Sequence, residues 1–161
     1  LRAGVYMLIT HERKKLINSI LYFSEHVDKC GKVKLFKLLY FLDFEHFKLT
    51  GRSVTGLEYH AWKMGPVPVK LFDEIQEPKE DLSNIVDLTM TEVPGRSNKM
   101  LKMTPKEEFS RDYFSKREIR LLQELTKKYK TTKADEMIEA THLENSPWDQ
   151  IYKNKETDKP C

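Results

Sequence analysis

KVKLFKLLYFLDFEHFKLTG, Lys32 to Gly51, carries more apolar residues than a surface helix can use, and where it hides them decides the fold. At about 100° per residue, Leu35, Leu38, Leu39, Leu42 and Leu49 form one arc and Val33, Phe36, Tyr40, Phe44 and Phe47 form another. Asp43 lies between the arcs on one side. Lys34, Lys37, Glu45 and Lys48 make a polar stripe around Phe41 on the other. Leaving the aromatic arc in water would forfeit on the order of ten kcal/mol. The segment is therefore expected to be the central helix of a domain, covered on two sides, or to keep one arc as a docking surface. Gly51 is placed to end it in the left-handed conformation that glycine adopts cheaply.

The flanks read outward from this helix. Thr10 can cap a helix to about Lys29 with Leu16, Ile17, Ile20, Leu21, Phe23 and Val27 on one arc, while Lys15, Asn18, Tyr22 and Glu25 face away. Cys30-Gly31 breaks it. Leu57 to Lys63 suggests a short strand that delivers Trp62 to the core and stops at Gly65-Pro66-Val67-Pro68. Val69 to about Gln76 reads as a short helix, and the acidic cluster of Asp73, Glu74, Glu77, Glu80 and Asp81 reads as solvated. Val86, Leu88 and Met90 alternate with polar residues toward a Pro94-Gly95 turn, and Leu101 and Met103 return, giving a hairpin with a polar tip. PKEEFSRDYF is a connector. Ser115-Lys116-Arg117-Glu118 is a capping box opening a helix to about Tyr129. A shorter helix runs from Thr132 or Lys133 to Leu143, and Ser146-Pro147-Trp148 starts a last turn. The expectation is an α+β, mainly helical single domain of five or six helices with a small antiparallel sheet. It spans residues 10–152, between an extension at 1–9 and a polar tail at 153–161.

With 161 residues, 33% charged, 39% hydrophobic and 11% aromatic, the chain has the composition of one folded domain. A net charge of +3 neither demands nor excludes a nucleic-acid partner. Cys30 and Cys161 cannot make a disulfide framework, which fits a reducing cytoplasm, and no apolar run is long enough to cross a bilayer.

Chemical motifs are sparse. No CxxC, HxxxH or HExxH spacing points to a metal, and no GxGxxG or GxxxxGK[ST] points to a nucleotide cofactor. Asp43 and His46 stand one turn apart and could form half of a general-base pair, but no nucleophile context accompanies them, so no catalytic residues are assigned. The order helix, helix, strand, helix, hairpin permits a winged-helix DNA binder, with Val69–Gln76 as recognition helix and Arg96 to Lys99 as wing tip. The acidic residues of that short helix would repel phosphate.

Four pieces together carry a resemblance: Lys34 to Phe41 (KLFKLLYF), Thr50-Gly51-Arg52, Ala61 to Val67 (AWKMGPV) and Ala140 to Trp148 (ATHLENSPW). In this order they resemble the Panacea, or SocA-like, antitoxin domain. The resemblance implies a mainly helical domain, found commonly in bacteria and their phages, that neutralises a cognate toxin protein by direct contact. It also implies an association with presenting the bound toxin to a cytoplasmic protease. It makes Leu38, Tyr40, Gly51, Trp62 and Trp148 family positions, with both tryptophans expected in the core. The residues themselves suggest a docking surface built from the edge of the central helix and the rigid corner, comprising Lys34, Lys37, Phe41, Lys48, Trp62, Lys63, Gly65, Pro66 and Pro68. Phe41 is its expected hot spot, the helix lysines its rim toward an acidic partner, and the hairpin tip adds selectivity.

Overall fold

The computed structural model describes the backbone of residues 3–95, 97 and 99–141, and side chains among these from residue 10 onward; the expected last turn at Ser146-Pro147-Trp148 lies outside them. Among the described residues there are six α-helices and two two-stranded antiparallel sheets, as expected of a mainly helical α+β domain. The first helix, α1, spans Ala3–His26 and so runs through Thr10 rather than starting there. The stretch AGVYMLI contains no glycine or proline after Gly4 and includes good helix formers, so nothing stops the helix at a threonine that could have capped it. Its expected arc, Leu16 to Val27, is buried throughout.

The helix α2, Lys32–Thr50, is central as read: Leu35, Leu38, Leu39 and Leu42 are wholly buried, and α1, α5 (Lys116–Tyr129) and α6 (Ala134–Thr141) all pack on it. Gly51 closes it at φ 75°, donating its N–H to Phe47 O at 2.8 Å. Both arcs fail in the last turn, where Phe47 and Leu49 are exposed. Periodicity assigned them to covered faces, but α2 outruns the elements that cover it.

The strand read from Leu57 is shorter and the stop signal after it is a strand itself. Strands β1, His60–Trp62, and β2, Gly65–Val67, pair antiparallel with Ala61 opposite Pro66 and Trp62 opposite Gly65. A two-stranded sheet has only edges, where proline's missing N–H is tolerated. Ala61 takes the buried position expected of Trp62, which is half-buried and packs edge-on against Phe72, with ring centres 5.3 Å apart, in α3 (Val69–Gln76).

A short helix, α4 (Glu80–Ser83), leads into the hairpin of β3, Val86–Thr91, and β4, Met100–Pro105. Its register runs from Val86 opposite Pro105 to Thr91 opposite Met100. Val86, Leu101 and Met103 are buried and Leu88 half-buried, whereas Met90, expected to face inward, is exposed because the outer end of the hairpin leaves the core.

Two polar regions turn out to be structural. The connector covers the face of α1 read as outward: Phe109 packs on Tyr22 at 4.9 Å, and Ser110 N–H donates to Asn18 Oδ1 at 3.1 Å. The acidic cluster is partly a clamp, since the Arg13 guanidinium donates two bonds to Glu74 and two to Asp81, all within 2.8 Å. That arrangement ties α3 and α4 to α1 and holds the Asp81 carboxyl below the ordinary carboxylate range. The capping box is present as read, and Glu118 uses its second oxygen to accept from Lys15 at 2.7 Å.

Candidate functional site

The central helix carries three buried charged residues, and each holds a different piece of chain. Lys34 Nζ donates to Asp28 O at 2.7 Å, fastening the turn between α1 and α2; burial pushes its ammonium below the usual lysine value. Lys37 Nζ donates to Pro66 O at 3.0 Å, fastening the β1–β2 corner. Both lysines are almost fully buried, which corrects the polar rim expected of them. The wheel placed them on a polar stripe, but a long lysine stem can lie along apolar surface and bring its ammonium to a backbone carbonyl.

Asp43 fastens the loop after α2. One oxygen accepts from Val54 N at 2.8 Å and Thr55 N at 2.9 Å, and the other accepts from the Thr55 and Tyr59 hydroxyls. Burial raises this carboxyl above its ordinary value, against the four donors that favour its charge. Tyr59 is pushed upward as well, by burial and then by Asp43. The suggested partnership of Asp43 with His46 is not formed: His46 Nδ1 lies 2.7 Å from Arg52 O and 3.2 Å from Thr50 Oγ1, so the Thr50-Gly51-Arg52 motif closes on the histidine. Asp43, with both oxygens taken up by fold contacts, is a poor candidate for a general base.

The corner brings separate motifs together. Gly65 has φ +111°, and a methyl group there would stand 2.7 Å from Lys37 Nζ and 2.8 Å from Thr141 Oγ1. Lys37 of the α2 motif, Gly65-Pro66 of the corner and Thr141 at the end of α6 thus meet at one buried junction. Gly65, Pro66, Val67 and Pro68 are all buried, so Gly65, Pro66 and Pro68 build this junction rather than the outer surface expected of them.

The remaining expected contact residues separate. Phe41 is half-buried and stacked on Tyr129 of α5, ring centres 5.2 Å apart and 4° from parallel, so its own domain covers one face. Tyr40 is buried against Tyr59, and Leu38 is in the core. Lys48 is exposed, pairing with Glu45 at 3.0 Å and lying over the Phe44 ring. Lys63 is exposed on the β1–β2 turn beside Met64. Lys37 is buried under the corner while Lys48 is exposed eleven residues farther along α2, roughly 16 Å away, so these two members of the expected surface do not lie together. Trp148 lies outside the described residues.

A family model described as antitoxin SocA-like, Panacea domain, matches residues 35–149. This chain belongs to that family. No curated protein and no solved structure matches it. The matched span of the Panacea domain begins inside α2, yet Ile20, Leu21 and Phe23 of α1 are among the most buried side chains, so the folded unit extends beyond the match. In this Panacea chain the recognisable motifs supply struts: Lys37, Gly51, Gly65 and Pro66 set loop geometry. Among the described residues no cluster of His, Cys, Asp or Glu could hold a metal ion, and no helix is long and apolar enough to cross a membrane. Burial raises the Cys30 thiol to about 12, which makes it a poor nucleophile. Sequence reasoning missed the Arg13 clamp and the exposed methionines Met64, Met90 and Met100. The clamp left no local signal, because Arg13 is separated by 61 and 68 residues from its partners.

Proposed function

We propose that this Panacea chain is an antitoxin that neutralises a cognate toxin protein by direct contact, without catalysis, and that it can deliver the bound toxin to a protease. The observation that carries this reading is the family match across residues 35–149. The geometry supports it: the charged residues that could have done chemistry, Lys34, Lys37, Asp43 and His46, are engaged in holding loops. Large apolar side chains meanwhile remain on the outside. A rigid scaffold with preset loops lowers the ordering cost of binding another protein.

The test is co-expression with the product of the neighbouring gene. The expected result is growth arrest by the neighbour alone, rescue when this chain is present, and a purified complex of the two. A neighbour that is harmless, or whose toxicity this chain leaves untouched, would overturn the reading. Repeating the rescue in cells lacking individual cytoplasmic proteases tests delivery separately, with rescue expected to weaken in one of them.

A further inference from the structure

The exposed methionines gather in one place. Met64 on the β1–β2 turn, Met90 in β3 and Met100 in β4 are 55%, 48% and 38% exposed, and all three line one groove of about 880 Å³ against the N-terminal end of α2. Gly31 helps form its floor, because a methyl there would stand 3.3 Å from Met100 Cε. Four lysines line the same groove, and among the described residues no aspartate or glutamate does. Lys34 is committed to Asp28 O and Lys32 lies over the Phe72 ring at 4.5 Å, which leaves Lys29 and Lys99 as the exposed charges. Lys29 is also the one non-glycine residue with positive φ among those described, at 48°. Glycine would hold that conformation more cheaply, so the lysine carries a conformational cost there.

We propose that this groove receives an acidic segment of a partner protein that carries apolar side chains on one face. Thioether side chains are flexible and polarisable, and they repack around apolar groups of varied shape. Asp28 lies next to Lys29 but outside the lining, so the groove wall itself carries only positive charge and favours a partner bearing Asp or Glu beside its apolar residues. A nucleic-acid backbone would use the lysines but not three exposed thioethers. On the antitoxin reading above, on which the partner's identity rests, the segment belongs to the toxin.

Methyl NMR of the whole chain with 13C-labelled methionine tests the groove directly. The probes are a synthetic helical peptide with leucines on one face and glutamates on the other, the same peptide with lysines for glutamates, and a mixed-sequence DNA duplex. The acidic peptide should move the Met64, Met90 and Met100 signals and leave buried Met103 and Met137 in place. Lys29→Glu with Lys99→Glu should weaken it by about tenfold or more without changing the melting curve. Unmoved groove methyls, or equal shifts with the basic peptide or the duplex, would overturn the proposal. In the rescue experiment the same double variant separates the two ideas. If the wild-type chain neutralises and the variant does so equally well, the groove fails and the antitoxin reading stands. If the wild-type chain does not neutralise, the antitoxin reading fails and the peptide titration alone decides the groove.

Discussion

The two ends of α2 solve the same problem with opposite charges. Toward its start, Lys34 and Lys37 each reach a backbone carbonyl; toward its end, Asp43 gathers two backbone N–H groups and two hydroxyls. Loops that cannot pair with strands still need partners for their polar groups, and the central helix supplies them from within the core. The difference lies in the number of bonds at stake. The Lys34 strut fixes one carbonyl of a loop, whereas the Asp43 socket orders Val54, Thr55 and Tyr59 at once.

That contrast makes the Asp43 end the more fragile. Asp43→Ala should cost about 3–5 kcal/mol, because four donors lose their acceptor, and Asp43→Asn about 1–2 kcal/mol, because one oxygen remains and the hydroxyls can turn. Urea unfolding measures both; equal costs would show that the socket is only space-filling.

At the lysine end, Gly65→Ala should cost about 2–4 kcal/mol, from the positive φ and from crowding of Lys37 Nζ. Combining it with Lys37→Met should cost less than the two single changes added, since both disturb one junction. Strict additivity in a double-mutant cycle would mean that Lys37 and the corner act independently.

Acid sharpens the comparison. The Asp43 carboxyl is raised in the fold, so its burial penalty is relieved, and stability rises, as pH falls through that raised value toward the unfolded carboxylate value near ~4. Asp81 is lowered by Arg13, so its contribution is complete above the unfolded value and is lost as pH falls through its folded value. Melting curves between about pH 3 and pH 7 should therefore lose their acid decline in part with Asp81→Asn and lose their initial rise with Asp43→Asn. The reverse assignment would contradict the two environments.

The smallest effect belongs to the exposed last turn of α2, where Phe47 is 57% exposed. Phe47→Ser should change stability by less than about 0.5 kcal/mol. A larger loss would show that this end of the helix is covered.

Sequence periodicity identified α2 as central because the core leucines recur at helical spacing, and it identified α5 because Ser115 and Glu118 form a local capping signature. It misplaced Lys34 and Lys37 because a wheel assigns direction to a Cβ, not to a flexible ammonium at the far end of the side chain. It read Gly65-Pro66 as an end because pairing with Ala61 and Trp62 depends on a register that local propensity does not encode. The groove was invisible for a related reason: Met64, Met90 and Met100 are scattered along the chain, and only folding makes them neighbours.

The bond from Lys15 to Glu118 joins residues 103 positions apart. At a synthesis rate of about 5–20 residues per second, Lys15 waits roughly 5–20 s for its partner to leave the ribosome. During that interval α1 and α2 have been made but α5, which covers both, has not. The newborn chain therefore passes through a period of apolar exposure set by the order of its elements along the chain rather than by folding speed, and any protease or chaperone that meets it then sees a different molecule from the finished one.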